Sequence, residues 1–376
     1  MSTAVQRILI IGGGFSGMAA AIQLRKQGKE VDLVEIDPGW RSYGAGISLG
    51  GATMRAFRQL GILEAFLEHG HAADGVNLCL PHGPQVASLP TPRIAGDDVP
   101  GGGAIMRPVL ARIMADATRA AGTQVRLGCT FTHIEQDAEG VDVWFSDGQR
   151  GRYDVVIGAD GLYSKVRELV FPDAPKPRYS GQAVWRAVLP RQEGIHTATM
   201  WIGPQVKPGV NPTSANEMYL FVTEPRPSND HVDPATFAEH LRGLLANFPA
   251  PALQTMREQI GPDSQIVFRP LESLLMPQPW FQNRVVLIGD AVHATTPHLA
   301  SGACIGIEDA LVLAEEIGQQ PSVQQALAAF SERRWERCRM VVQNSVRLGE
   351  IEITGGDKEE HSRIMRDSLM ALAQPI

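Results

Sequence analysis

Residues 7–36 read RILIIGGGFSGMAAAIQLRKQGKEVDLVEI and carry the strongest structural signal in the chain. The apolar run at 8–11 is typical of a buried parallel strand. The turn after it matches GxGxxG at Gly12, Gly14 and Gly17. In this motif the first glycine allows a tight turn, the second lets a pyrophosphate approach the backbone, and the third lets a helix pack on the strand.

The residues after the glycines continue the pattern of a nucleotide-binding unit. Residues 18–26 favour a helix, whose N-terminus would present free N–H groups and a positive dipole to phosphates. Residues 31–34 form a second apolar run that ends at Glu35, whose carboxylate can accept hydrogen bonds from a ribose hydroxyl. The stretch therefore predicts a dinucleotide site, without distinguishing NAD from FAD.

Composition excludes several function classes. A chain of 376 residues suggests about two domains, and 44% hydrophobic with 20% charged residues is typical of a globular enzyme. A net charge of −7 disfavours nucleic acid or an anionic membrane as the main partner. The cysteines are scattered without CxxC spacing, so we expect neither disulfides nor a metal site, and a cytoplasmic protein. We expect no signal peptide and no membrane span, because no apolar run reaches about 18 residues.

The rhythm of the chain changes in its second half. Residues 90–103 are rich in Pro, Gly and Asp and predict an exposed loop. From 179 to 268, alternating apolar strands replace the β–α rhythm, which predicts an antiparallel sheet with a helix at about 234–247. A buried strand at 284–288 then returns to the nucleotide-binding domain. Helices are predicted at the end of the chain, at about 304–317, 323–346 and 362–373.

Three segments together identify a family. They are GGGFSG with Glu35, DGLYSKVR at 160–167, and GDAVHATTPHLASGACIGIEDA at 289–310. In this order and at these separations they closely resemble the class A flavin monooxygenases, the flavoprotein aromatic hydroxylases of the p-hydroxybenzoate hydroxylase type. The resemblance runs from about residue 7 to 346. The string PHLASGAC is similar to the 6-hydroxynicotinate, dihydroxypyridine and salicylate hydroxylase branch.

The resemblance implies an α/β fold. A Rossmann-like FAD-binding domain with a GxGxxG βαβ unit would carry an inserted antiparallel-sheet substrate domain and C-terminal helices. The implied division of the chain is FAD-binding at 1–75, 101–178 and 276–350, substrate-domain strands or loop at 76–100, substrate domain at 179–275, and a C-terminal helix at 351–376.

The resemblance also assigns cofactor contacts. Asp290 ends a strand where a carboxylate can bond a ribityl hydroxyl, and the helix after Pro297 would aim its first amides at the flavin ring. The family often has Gly-Gln-Gly where this chain has Ala300–Ser301–Gly302, so flavin contacts are expected to shift there. No second GxGxxG follows a strand, which argues against a separate NAD(P)H domain. The expected FAD-binding residues are Gly12, Gly14, Gly17, Glu35, Arg41, Arg107, Asp160, Gly289, Asp290, Gly302 and Ala303.

The implied activity is hydroxylation of a small aromatic or heteroaromatic ring, of the hydroxypyridine or hydroxybenzoate type. NADH or NADPH would reduce FAD, and molecular oxygen would react through a flavin C4a-hydroperoxide. The protein would be a monomer or homodimer. Two alternatives stay open: a tailoring monooxygenase of a larger polyketide or quinone, and a flavin-binding protein without oxygenase activity.

Substrate-contacting residues are predicted around the same loop and the second sheet. His298, next to Pro297, is the first candidate to contact a substrate hydroxyl, since a phenolate or hydroxypyridine anion is the better nucleophile; its alternative is a helix cap. Tyr219 and Ser48 are predicted to face the same cavity, although Tyr219 also fits a sheet core. Arg186 is expected either to pair with a substrate carboxylate or to be structural. Arg167, in the second segment, fits either the nicotinamide cofactor or a salt bridge.

Overall fold

The computed structural model describes residues 5–376 of the chain. Its strands are β1 (Arg7–Ile11), β2 (Glu30–Glu35), β3 (Gly46–Gly50), β4 (His71–Ala73), β5 (Val76–Cys79), β6 (Gln85–Leu89), β7 (Gly102–Met106), β8 (Gln124–Leu127), β9 (Phe131–Gln136), β10 (Val141–Phe145), β11 (Arg150–Tyr153), β12 (Val155–Gly158), β13 (Arg178–Pro190), β14 (Ala198–Trp201), β15 (Lys207–Pro212), β16 (Glu217–Pro225), β17 (Ile266–Ser273), β18 (Phe281–Gln282) and β19 (Val285–Leu287).

The helices include two short 3-10 turns, at Pro234–Thr236 and Pro297–Leu299. The α-helices are α1 (Phe15–Lys26), α2 (Gly51–Leu60), α3 (Leu63–His69), α4 (Arg107–Ala120), α5 (Lys165–Val170), α6 (Phe237–Leu245), α7 (Pro251–Gln259), α8 (Asp290–His293), α9 (Gly302–Gln319), α10 (Val323–Thr354) and α11 (Lys358–Ala373). Among residues 5–376, none of these helices has the length and apolar character needed to cross a lipid bilayer.

The first sheet contains the predicted nucleotide-binding unit. Its order is β18-β19-β12-β1-β2-β8, and all its strands run parallel except β18. β1 lies between β2 and β12, with Ile10 paired to Leu33 on one side and Ile157 on the other. These residues are fully buried, as expected for a strand covered on both faces. The Rossmann-like βαβ unit β1–α1–β2 is therefore confirmed.

The second sheet has a helix-covered face and a face turned to the nucleotide-binding unit. Its order is β17-β13-β16-β15-β14-β5-β6; the pairs β17–β13–β16–β15–β14 are antiparallel, and β14 and β5 run parallel. Trp185, Met218 and Leu220 belong to a separate hydrophobic core with α6 and α7. Because side chains alternate along a strand, the neighbours Arg186 and Tyr219 lie on the opposite face. That face looks toward β3, which places it against the nucleotide-binding part.

Two local predictions differ from the structure. The loop expected at 90–103 ends early, because Gly102–Met106 is the central strand of the small sheet β3-β7-β4. Its glycines serve close strand contact, since a Cβ on Gly103 would lie 2.6 Å from the carbonyl oxygen of His71. The helix expected at about 234–247 is a 3-10 turn followed by α6, and α7 was not expected.

The C-terminal helices are longer than expected. α10 continues past residue 346 to Thr354 and stops at Gly355, which is left-handed with a φ of 63°. α11 begins at Lys358 because the Asp357 carboxylate accepts hydrogen bonds from the amides of Glu359 and Glu360. Both helices contact the 3-10 turn before α9, and α10 also packs on β13 of the second sheet.

Candidate active site

The glycine turn leaves open space at one of its three motif positions. Gly12 has a φ of 108°, and a Cβ there would lie 2.4 Å from the carbonyl oxygen of Ala159. A Cβ on Gly17 would lie 2.1 Å from the Gly12 oxygen. A Cβ on Gly14 would meet no atom within 4 Å. Packing of the protein therefore requires the first and third glycines, while the space at Gly14 suits the approach of a ligand such as a pyrophosphate.

Glu35 is fixed beside this turn. One carboxylate oxygen accepts the amide N–H of Gly13 at 2.7 Å, and the other accepts that of Asp37 at 2.8 Å. The Trp40 indole N–H donates to the Gly13 carbonyl at 2.8 Å and closes the arrangement. The carboxylate thus lies at the end of β2 beside the glycines, where the motif expects a ribose.

A second turn, Gly289–Asp290, faces the same cleft from the end of β19. Gly289 has a φ of 62°, and a Cβ there would lie 2.4 Å from the Ser16 hydroxyl oxygen. The Asp290 side chain is exposed and its carboxylate has no hydrogen-bond partner among residues 5–376. Desolvation by neighbouring groups raises the pKa of Asp290, against the opposing charges of His293 and Arg107. An exposed acid without a partner, set in a crowded cleft, suits a hydroxyl-rich ligand such as a ribityl chain.

Arg107 lies across the cleft from Asp290. Its guanidinium stands 5.1 Å from the centroid of the Phe15 ring, at the start of α1, and against the backbone of Gly44. No residue in 5–376 accepts a hydrogen bond from this guanidinium, and desolvation lowers the pKa of Arg107. An unpartnered cation is costly to bury, so this position fits an anionic or polar cofactor.

A buried ionic network holds the Gly289–Asp290 turn through the amide of Gly289. The Asp309 carboxylate, fully buried in α9, accepts the Gly289 amide N–H at 2.9 Å and pairs with His293 Nε2 at 2.5 Å. Its other oxygen accepts from Arg334 Nε at 2.8 Å. Burial alone would lower the pKa of His293, but Asp309 raises it well above its usual value. Sequence reasoning missed Asp309, although an acid within the apolar run of GACIGIEDALVL is a detectable signal.

Three further residues predicted at or near the cofactor have partners within the protein. Asp160 caps α5, where its carboxylate accepts from Ser164, Lys165 and Val166. Arg41, predicted near the cofactor, pairs with Asp37 at 2.9 Å, and its side chain is 60% exposed. Arg167 is buried and donates to the carbonyls of Ala291 and Leu162, so it joins α8 to the loop before α5.

The loop before α9 presents backbone amides. After the 3-10 turn that begins at Pro297, Ala300 adopts a left-handed conformation with a φ of 49°. α9 then begins at Gly302, and the amides of Gly302 and Ala303 have no backbone acceptor within residues 5–376, as is usual in a first helical turn. These donors and the helix dipole favour negative charge at this position.

Tyr219, Ser48 and Asn211 form a polar group between the two sheets. The Tyr219 and Ser48 hydroxyls share a short hydrogen bond, and the Asn211 amide donates to the Ser48 oxygen at 3.1 Å. The Tyr219 ring packs on Gly46, where a Cβ would clash with it. Burial raises the pKa of Tyr219, so its hydroxyl stays protonated at neutral pH. The structure thus brings together two of the residues predicted to face one cavity.

Arg186 belongs to the same sheet face but has no partner. It lies opposite Phe221, two residues along β16 from Tyr219, and its charged neighbours are Arg107 and Arg269. No hydrogen bond or ion pair satisfies its guanidinium among residues 5–376, and desolvation lowers the pKa of Arg186. A guanidinium without a partner, with two further arginines among its charged neighbours, favours an anionic ligand.

His298 contacts none of Tyr219, Ser48 and Asn211 among the hydrogen bonds of residues 5–376. Its Nδ1 lies 2.9 Å from the Thr296 hydroxyl, its Nε2 lies 3.3 Å from a Glu352 oxygen, and its side chain is only 2% exposed. Desolvation lowers the pKa of His298 despite Glu352, so the ring is neutral at pH 7. The ring has no open surface through which a substrate hydroxyl could touch it directly, which differs from the expected direct contact.

Glu352, near the end of α10, was not predicted. It makes a short ion pair with Lys207 of β15 and lies 3.3 Å from both His298 and His361. Burial would raise the pKa of Glu352, but Lys207 and the two histidines hold it well below its usual range. No local sequence signal marks this residue, because its partners come from β15, the loop before α9, and α11.

Comparisons with known proteins show which family the chain resembles over its length. Residues 5–345 match the family model described as FAD binding domain. The chain is 32% identical over 357 residues to aurachin C monooxygenase/isomerase of Stigmatella aurantiaca, covering 92% of this chain and 89% of that protein. It is 31% identical to 2-heptyl-3-hydroxy-4(1H)-quinolone synthase of Pseudomonas aeruginosa, again covering 92% and 89%. The crystal structure of Klebsiella pneumoniae HpxO complexed with FAD and uric acid superposes with a TM-score of 0.87 at 25% identity, over 98% of this chain and 97% of that one.

Proposed function

Because the chain belongs to the FAD-binding-domain family of class A flavoprotein monooxygenases, we propose that it hydroxylates a small aromatic or heteroaromatic ring in its anionic form. The unpartnered guanidinium of Arg186, on the sheet face turned to the nucleotide-binding unit, carries this proposal. The names of two relatives, a hydroxyquinolone synthase and a monooxygenase of aurachin C, and the uric acid bound to HpxO support a ring of this kind.

The residues of the cleft fit FAD. The open space at Gly14, the fixed carboxylate of Glu35 and the unpartnered groups of Asp290 and Arg107 would hold its phosphates and sugar-alcohol chain. The first amides of α9 would face the ring system. When bound, FAD supplies the redox and oxygen-transfer chemistry, with NADH or NADPH as reductant and molecular oxygen as co-substrate.

The protein's own share of the reaction is to bind and orient the ring. Arg186 would hold an ionised hydroxyl or carboxylate, and a planar guanidinium suits a carboxylate in a bidentate manner. The Tyr219–Ser48–Asn211 group would bond a second polar atom of the ring. The tip of the Phe221 ring lies against Gly209, opposite Arg186 on the neighbouring strand, where it would give the bound ring an apolar wall that excludes water.

The test is oxidation of NADH and NADPH by the purified yellow protein in the presence of hydroxypyridines, hydroxybenzoates, hydroxyquinolones and urate. We expect one class of ring to accelerate oxidation and to gain one oxygen, as followed by mass. Arg186→Gln should then raise KM for that ring at least tenfold. Arg178→Gln, at the exposed start of the same strand, is the matched control. Firmly bound FAD without response to any ring would refute the proposal.

A further inference from the structure

One face of the second sheet changes from polar to apolar between its strands. The strand register places one row of residues across this face, one from each of β13, β16, β15, β14, β5 and β6: Arg186, Phe221, Gly209, Met200, Leu78 and Ala87. The row begins with an unpartnered cation and ends with three apolar side chains. We propose that the substrate ring carries an aliphatic chain, and that this chain lies on β14, β5 and β6. The inference rests on the proposed function and names the substrate class more closely.

The next row on the same face is divided in the same way. Its side chains from β13 to β15 are Val188, Tyr219 and Asn211, and those from β14 to β6 are Ala198, Val76 and Leu89. The hydrogen-bonding groups of this row lie on β16 and β15, where Tyr219 and Asn211 meet Ser48. In both rows the side chains on β14, β5 and β6 are apolar. A ligand that matches this face therefore has a polar head and an apolar tail.

The apolar half of this face is not part of a hydrophobic core. Trp201 and Cys79, which follow Met200 and Leu78 along β14 and β5, belong to the core on the opposite face. Among residues 5–376, Met200 and Leu78 neither belong to nor pack against any of the three hydrophobic clusters, and both are partly exposed. An antiparallel sheet with one face on a core usually carries polar residues on the other face. Adjoining apolar side chains on that second face favour a ligand surface.

Phe221 and Gly209 connect the charged end of the first row to its apolar end. The tip of the Phe221 ring lies against Gly209, so an aromatic surface separates Arg186 from Met200. A substrate ring on this surface would hold its anionic group at Arg186 and direct a substituent on its other side toward Met200. Neighbouring strands lie about 4.8 Å apart, so the row from Arg186 to Ala87 is about 24 Å long. This length is several times the width of one aromatic ring and leaves room for a chain.

The apolar end of the face is open at the edge of the sheet. β6 is the last strand, and Leu89 on it is 48% exposed. A long chain would leave the protein at this edge, so binding should strengthen with chain length only until the chain passes Ala87. Complete burial of one methylene corresponds to about a fourfold change in dissociation constant. On this partly exposed surface we expect at least twofold for each methylene.

Equilibrium binding to the FAD-loaded protein tests this inference without turnover. The probes are hydroxybenzoates and hydroxyquinolones that carry an unbranched chain, from methyl to octyl, across the ring from the ionised group. The change in flavin absorbance gives each dissociation constant, which should fall as the chain grows. Met200→Gln and Leu78→Gln should each reduce the ratio of the methyl to the hexyl constant at least fivefold, whereas Met200→Leu should keep it. Leu369→Gln, at a leucine of α11 that is 45% exposed, is the control and should also keep it.

Binding and turnover together separate this inference from the proposed function. Dissociation constants that do not depend on chain length would overturn the inference, as would an equal dependence in the wild type and both glutamine variants. Should Met200→Gln lose its fold, Leu78→Gln decides the outcome. Rings that stimulate NAD(P)H oxidation equally with and without a chain would refute the chain site and leave the function standing. Tighter binding of longer chains in a protein that no ring stimulates would refute the function instead.

Discussion

The amide N–H of Gly289 donates a 2.9 Å hydrogen bond to the carboxylate of Asp309, which lies fully buried in α9. Because the same carboxylate also holds His293 and Arg334, one side chain ties the cleft-facing turn to two helices.

We predict that Asp309→Asn weakens FAD binding at least tenfold. The asparagine amide cannot accept from Gly289, His293 and Arg334 together, and loss of a charged hydrogen bond costs about 1.5–3 kcal/mol. Titration of apoprotein with FAD measures the effect. Glu316 lies on the same helix as Asp309 and pairs with Arg333 of α10, and Glu316→Gln should leave the FAD affinity unchanged. Equal affinities for both variants would contradict a role of Asp309 in holding the turn.

The His293–Asp309 pair predicts a definite dependence of stability on pH. The pKa of His293 is raised in the folded protein, so its stabilisation is fully present below the unfolded value of about 6.5 and is lost as pH rises through the folded pKa. The difference in free energy of unfolding between wild type and His293→Gln should therefore be largest near pH 6 and shrink in alkaline solution. Denaturant unfolding across this range measures it. A difference that grows with pH would mean that the buried ring is neutral.

The glycines of the first turn should separate folding from binding. Gly14→Ala adds a Cβ to open space, so the apoprotein should keep its melting temperature while its FAD affinity falls at least tenfold, about 1.4 kcal/mol. Gly12→Ala should instead destabilise the fold by about 2 kcal/mol or more, because of its φ of 108° and the contact with Ala159. Thermal unfolding of both apoproteins and FAD titration of the first give the comparison. A large loss of apoprotein stability in Gly14→Ala would show that this glycine serves packing.

Ala300 carries backbone strain that glycine would relieve. A left-handed residue with a Cβ costs about 1–2 kcal/mol, partly offset by the greater freedom of glycine in the unfolded chain. Ala300→Gly should therefore raise stability by about 0.5–1 kcal/mol in thermal unfolding. Ala328→Gly, at an exposed site within α10, should lower it by about 1 kcal/mol. The same sign for both variants would exclude strain at Ala300.

Tyr219→Phe tests the polar group between the sheets. It removes the hydroxyl that meets Ser48 but keeps the ring on Gly46, so FAD affinity should be unchanged. With the ring identified by the oxidation assay, kcat/KM should fall about tenfold, or about 1.4 kcal/mol. Tyr179→Phe, whose hydroxyl donates to the Arg226 carbonyl elsewhere on the sheet, is the control. Loss of FAD in Tyr219→Phe would place the hydroxyl in the cofactor site rather than the substrate cavity.

The sequence was sufficient where the signal is local. The βαβ unit follows from one apolar run, three glycines and a terminal acid, since β1, α1 and the β1–β2 pairing that define it lie within about thirty residues. The strand Gly102–Met106 was missed because glycines usually signal a loop, and only the neighbouring strands show that they permit close pairing here.

The site was predictable only in part for the same reason. Tyr219 and Ser48 were grouped correctly in space, but they are 171 residues apart and nothing in the sequence shows that their hydroxyls meet. His298 was expected at the substrate because of its position next to Pro297. Its burial against Glu352 depends on an extension of α10 that the sequence pattern did not reveal.

The length of α10 fixes both the distance and the rotation between two of its buried contacts. Arg334 and Glu352 lie on this one uninterrupted helix, eighteen residues or about five turns apart, so they share one side of it at a spacing of about 27 Å. One end is fixed to Asp309 beneath the Gly289 turn, and the other to Lys207 and His298 beside the second sheet. Insertion of a single residue between them would rotate one end by about 100° relative to the other. The helix therefore fixes the rotation of Glu352 relative to Arg334 about the helix axis. Insertions or deletions between them keep both contacts only when they add or remove whole helical turns.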